Sequence, residues 1–170
     1  MRRFTFPGGR LDRVQRLVLV LAIATLIGAG IGGYAWYGHH QARQRAAAAH
    51  ACVAAATPAA QAIFSYDYRT FDASVANAKP FITGAFASQY AKTTASLKPT
   101  AVSVKAVVQA QVSAIGLVDT ATGGKVDVMV YLNQYRRNAN ISGEKVDQDR
   151  VVLTMIHSAR GCKVDNAAAI

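Results

Sequence analysis

From Leu17 to Tyr37 the chain reads LVLVLAIATLIGAGIGGYAWY, 21 residues without a charge. At 1.5 Å per residue a helix of this length covers about 30 Å, the thickness of a bilayer's hydrocarbon core, and satisfies its own backbone while crossing lipid. A helix buried in a soluble core is shorter. The sequence therefore predicts a basic cytoplasmic tail over 1–16 and a transmembrane helix over 17–37. Arg2, Arg3, Arg10, Arg13 and Arg16 crowd the N-terminal flank against a single Asp12, whereas the ten residues beyond the run hold only Arg43 and Arg45 with His39 and His40. That bias sets the topology of a single-pass plasma-membrane protein, with the N-terminus in the cytoplasm and residues 38–170 outside. Tyr34, Trp36 and Tyr37 fall at the outer end, where amphipathic rings favour the headgroup layer. A cleaved signal peptide would carry a shorter apolar core and a small-x-small cleavage site. Ala-Trp-Tyr-Gly-His-His is a poor one, so the anchor is expected to be retained.

Beyond the anchor about 130 residues remain, enough for one domain with its own core and too few for two. Of the formal charge of +10, the tail contributes five Arg against Asp12 and the outer part 14 basic against 8 acidic residues. The tail suits anionic inner-leaflet lipid. The outer charges are dispersed, with Arg136-Arg137 the one tight pair, and no basic stripe interleaved with aromatics marks a nucleic-acid surface.

Cys52 and Cys162 both lie outside by this topology. In an oxidising compartment a lone pair usually joins, here fixing the juxtamembrane helix to the C-terminal strand. The alternative is two buried, unpaired small hydrophobes. No CxxC is present, His39, His40, His50 and His157 have no ligand spacing, and no metal or cofactor is expected. His39 and His40 read as interfacial.

Gln41–Ala56 is alanine-rich and predicts a juxtamembrane helix over 38–56 that continues the anchor. Thr57-Pro58 reads as an N-cap followed by proline at the first helical position, so the outer domain, 57–170, is expected to open with a new helix. On it Phe64, Tyr68, Phe71 and Val75 recur at helical spacing. Asp72 is a candidate cap for a restart near Phe71, and Pro80 for the start of a further helix carrying Ile82, Phe86 and Tyr90. After Lys98-Pro99 the period becomes two: Val102, Val104, Ala106, Val108, Ala110, Val112 and Ala114 alternate with polar residues, predicting a long strand with a bulge at Gly116. Asp119–Gly124 is a turn. Strands follow over Lys125–Asn133, Arg150–His157 and Cys162–Asp165, with a polar loop Arg136–Gln148. Helices followed by an antiparallel meander predict an α+β layer, helices packed on one face of a curved sheet.

Reactive chemistry is sparse. Asp67, Asp72 and Asp119 read as caps or turn residues, and there is no GxSxG, Walker loop or GxGxxG. The expectation is a protein that is not an enzyme. Ala24, Gly28 and Gly32, at four-residue intervals, would let another membrane helix approach closely, though glycine is common in membrane helices generally.

The most distinctive segments are SYDYRTFD (Ser65–Asp72) and ITGAFASQY (Ile82–Tyr90), with VVQAQVSAIG (Val107–Gly116), YLNQ (Tyr131–Gln134) and Asp149–Leu153. Over most of residues 45–165 the chain resembles the actinobacterial Mce-associated membrane proteins. It departs where related sequences often place a tryptophan before the last strand; Cys162 stands here. The resemblance implies a nuclear transport factor 2-like (NTF2-like) or cystatin-like domain outside the plasma membrane. It also implies a non-enzymatic accessory role in assembling or stabilising an Mce-type lipid import transporter, whose subunits would be the partners. The bitopic architecture leaves two other readings open. One is a scaffold of a secretion or conjugation apparatus resembling the VirB8 group; the other is a lipid or steroid binder or isomerase using a cavity between helices and sheet. Catalysis there would need an acid of raised pKa facing the cavity. Filling of the cavity by Phe64, Phe71 and Phe86 would end that reading.

Overall fold

An unbroken helix, α1 (Arg13–Phe64), carries the apolar run and the alanine-rich stretch together. It is seen in a computed structural model that describes residues 12–120, 124–159 and 161–170. Its apolar window is long and hydrophobic enough to cross a membrane and is unburied by other protein. The expected restart at Thr57-Pro58 is not made: Pro58 sits inside α1 with its ring exposed. Proline removes one backbone donor and crowds the preceding turn. Helical residues on both sides, anchored by core contacts, outweigh that local penalty. Residues 12–43 belong to one unit of the chain and Gln44–Ile170 to a second.

Within Gln44–Ile170, α1 buries Ala49, Cys52, Ala56, Ala59, Ala60 and Ile63 at helical spacing. Small side chains on this stripe bring the helix backbone close to the layer it packs against. After α1 come a two-residue strand β1 (Tyr66–Asp67), a 3-10 turn (Tyr68–Thr70), α2 (Phe71–Ala78), a second 3-10 turn (Lys79–Phe81) and α3 (Gly84–Ser103). The stripe expected on one helix is thus divided: Phe64 ends α1, Tyr68 lies in the turn, and Phe71 and Val75 ride on α2. Asp72 does not cap. Thr70 occupies that position without a side-chain bond, and Asp72 pairs with Lys98 at 2.6 Å. Pro80 lies in the 3-10 turn, and the next helix opens four residues later at Gly84. Gly84 has φ +60°, and a Cβ there would collide with Asp165 Oδ1, so both backbone and space require glycine.

The sheet runs β1–β2–β3–β4–β5, antiparallel between neighbours, with β2 Val107–Asp119, β3 Lys125–Arg137, β4 Lys145–Ser158 and β5 Gly161–Ala169. The period-two pattern overran at its start. Val102 and Val104 belong to the end of α3 and its turn, because α3 continues through Pro99 to Ser103. The helix ends in a Schellman motif, with the Ala106 N–H donating to the Ala101 carbonyl and the Lys105 N–H to Val102. Lys105 takes the left-handed position, φ 52°. From Ala106 the expected alternation holds as far as Val112, with Ala106, Val108 and Ala110 buried, but Ala114, expected on the same face, is exposed because the phase changes at the slip before it. The register slips at Ser113 and Val118, whereas Gly116 pairs directly with Met129, so the bulges flank the glycine expected to make one.

β3, β4 and β5 each extend beyond the expected strands, shrinking the polar loop to 138–144. That loop is tied down by the Ala139 N–H donating to the Val104 carbonyl (2.7 Å). Of the turn expected over Asp119–Gly124, residues 121–123 lie outside the described residues; Gly124 closes it at φ +76°. One face of the sheet supplies Val126, Val128, Val130, Leu132, Val151, Leu153, Met155 and Val164 to the core under α1 and α3. A smaller cluster of Phe71, Ala101 and Ala106 closes one end. The result is the α+β layer expected, helices on one face of an antiparallel sheet.

Candidate functional site

Where α1 gives way to α2 and α3 the helices do not fully cover the sheet. A cavity of about 290 Å³ remains between them. Its walls are Ile63 and Phe64 of α1, Phe71 and Val75 of α2, and Phe86 and Leu97 of α3. The three phenylalanines therefore line the space without filling it. Polar atoms enter from Gln89, Thr93 and Thr94 on α3 and from Gln134 on β3. Thr94 is already committed, its hydroxyl donating to the Tyr90 carbonyl at 2.8 Å. No Asp, Glu or His is among the lining residues. The acid that an isomerase requires is not supplied by these walls. The titratable side chains present are Tyr66 and Tyr90, and burial raises the pKa of both, for Tyr66 against a smaller opposing pull from the nearby Arg136 charge. Both stay neutral at physiological pH. The Tyr90 hydroxyl donates to the Ile63 carbonyl at 3.4 Å, which leaves its ring as cavity wall.

Gln134 also borders an open polar depression with Arg136, Asp147 and Asp149. On β3 the helix-facing positions read Val126, Val128, Val130, Leu132, then Gln134 and Arg136. The apolar series ends where helix cover ends. Arg136 forms an ion pair with Asp147 across the strand pair, while its Nε is buried without a partner. This pair escaped the sequence reading, although the switch from apolar to polar at alternate positions of β3 was visible.

Asp67, expected as a cap or turn residue, is a cap. Its carboxylate accepts from the Arg69 N–H at 2.9 Å and pairs with the Arg69 guanidinium at 2.5 Å. The hydrogen bond from the Arg69 side chain, then that from its backbone, holds the Asp67 carboxyl below the usual range. The central part of SYDYRTFD is thus a structural turn. Ser65 completes it, its hydroxyl accepting from the Ala110 N–H of β2 at 2.9 Å. Asp119 likewise accepts from the Thr120 N–H as a turn residue.

Cys52 and Cys162 are joined, with S–S 2.01 Å and Cα atoms 5.1 Å apart. The bond links the buried face of α1 to the start of β5. Ala24, Gly28 and Gly32 lie exposed on one face of α1, and a Cβ at either glycine would meet nothing within 4 Å. The face is open to another helix. His40 stacks on Trp36 with ring centroids 5.6 Å apart. Arg13 and Arg16 occupy the first turn of α1, whereas Arg2, Arg3 and Arg10 lie outside the described residues. Among the described residues no three His, Cys, Asp or Glu side chains gather as a metal site would need.

No protein-family model and no curated protein sequence matches the chain. Solved structures do. CagV, a VirB8 homologue of the T4SS from Helicobacter pylori, aligns with TM-score 0.57 at 11% identity over 71% of this chain and 96% of its own. An IcmL-like type IV secretion system protein from Legionella pneumophila gives 0.57 at 16% identity, covering 69% of this chain and 88% of that one. The periplasmic domain of DotI gives 0.59 at 16% identity, over 69% and 91%. At these identities what is shared is the fold, an α+β domain of the type found in VirB8-like periplasmic proteins.

Proposed function

We propose that this is a single-pass membrane protein whose outer domain, Gln44–Ile170, serves as a non-enzymatic assembly scaffold of a multiprotein envelope machine of the secretion or conjugation type. The observation that carries the reading is whole-domain likeness: about seven-tenths of this chain matches nearly the whole length of CagV and of the DotI periplasmic domain. That likeness is joined to one helix long and apolar enough for a bilayer. Periplasmic location of the DotI domain and the Arg-rich N-terminal flank support the same orientation, with the domain outside. The absence of an acid among the cavity-lining residues favours a binding or scaffolding role over isomerisation.

A second reading is an accessory role in an Mce-type lipid import transporter. It rests on the SYDYRTFD and ITGAFASQY segments, of which the first forms β1 with the turn after it and the second leads into α3. Both readings make the protein a scaffold and differ in the machine. Mild-detergent affinity purification of the full-length protein with mass spectrometry of what copurifies separates them. Secretion ATPases and channel proteins support the first, and Mce substrate-binding and permease subunits the second. Recovery of the protein alone removes both.

A further inference from the structure

The cavity between α1, α2, α3 and the sheet has walls that are hydrocarbon or aromatic and a rim that is amide and hydroxyl. At 290 Å³ it lies at the small end of ligand pockets, and at about 30 Å³ per water-sized group it takes about ten non-hydrogen atoms. We infer that this cavity binds a single acyl or alkyl chain of about ten carbons carrying an uncharged oxygen head.

Shape and polarity fix the chain: Phe64, Phe71, Val75, Phe86 and Leu97 offer nothing to a polar body, and Tyr90 has its hydroxyl engaged elsewhere. Charge at the rim fixes the head. Arg136 lies beside the Tyr66 wall, but Asp147 already neutralises it and Asp149 stands next to it. A carboxylate or phosphate would meet a surplus of negative charge and, among the lining residues, no cation without a carboxylate partner. An ester or hydroxyl oxygen, by contrast, is matched by the uncharged amide of Gln134, which lines both the cavity and the polar depression beside it. Gln89 and Thr93, exposed on α3, add further uncharged polar groups to the lining. The inference goes beyond the scaffold reading and holds whichever machine the protein serves.

The full-length protein in phosphatidylcholine nanodiscs is irradiated with decanoyl glycerol bearing a diazirine in its chain, and the adducts are mapped by mass spectrometry. Adducts are expected within 64–75 and 86–97, falling about ten-fold with excess unlabelled decanoyl glycerol and falling about ten-fold in Val75→Phe. Thr93→Phe, at the exposed rim, replaces Val75→Phe if that variant loses its circular dichroism. In a second arm the diazirine sits in an acyl chain of the bilayer lipid itself. Cavity adducts in that arm make the membrane the source of the chain, and cavity adducts only in the first make it a free amphiphile. Adducts confined to 17–37 in both arms, cavity adducts indifferent to the filling substitution, or decanoate displacing the probe as well as decanoyl glycerol does would each overturn the inference.

Discussion

Lys105 holds a left-handed conformation, φ 52°, where the Schellman motif at the end of α3 demands it. A side chain there costs about 1–2 kcal/mol, and glycine returns part of that as freedom of the unfolded chain, so Lys105→Gly is expected to stabilise by about 0.5–1 kcal/mol in urea unfolding. Its side chain is exposed, which keeps the test free of packing effects. Asp67 offers a pH test. Arg69 lowers its pKa, so its contribution is present above the unfolded carboxylate value and is lost as pH falls through the lower folded one. Asp67→Asn should therefore weaken the protein at neutral pH, and the difference from wild type should vanish in acid. Acid titration of both proteins, followed by circular dichroism, shows whether it does.

At the scale of elements, Pro58 is the clearest liability. It lies exposed within α1, where an interior proline removes a hydrogen bond from the helix ladder. Pro58→Ala is expected to raise the stability of Gln44–Ile170 by about 1–3 kcal/mol, measured as a shift of the urea midpoint at constant slope. The same residue shows why the element boundaries were only partly legible. Thr-Pro is a sound local start signal, but the buried alanines on either side, Ala56 and Ala59, belong to one stripe whose contacts are made with a sheet far along the chain. Their spacing was readable; the layer they faced was not. Period two identified β2 and β3 because one face is buried, yet Val102 and Val104 alternated in phase with β2 while belonging to the helix end. Short windows cannot separate these. β1, two residues long, has no period at all. The cavity was foreseen as a space between helices and sheet. Its rim was not, because Arg136 and Asp147 become neighbours only through the β3–β4 register.

Across the whole molecule two features await test. The bond between Cys52 and Cys162 spans 110 residues, and by the chain-entropy estimate replacing both with alanine costs about 4–5 kcal/mol. Urea unfolding of Cys52→Ala/Cys162→Ala should reproduce most of that loss, and reductant should leave the variant unchanged while weakening wild type. Within the anchor, leucine at Gly28 and Gly32 would fill the small-residue face formed by Ala24, Gly28 and Gly32. Copurification of membrane partners is expected to drop about ten-fold if those glycines seat another helix, a loss of about 1.4 kcal/mol. Unchanged recovery removes the role.

The same sulfur bridge has a consequence for survival in a protease-rich envelope. The loop 138–144 and the turn after β4 are where an enzyme would cut, and both lie between the two cysteines. A single cut there severs the peptide chain without releasing anything. Everything after the cut still hangs from Cys162, through Cys52, on the anchor. A nicked molecule runs as one band without reductant and as two with it, and stays in the membrane until the bridge is reduced.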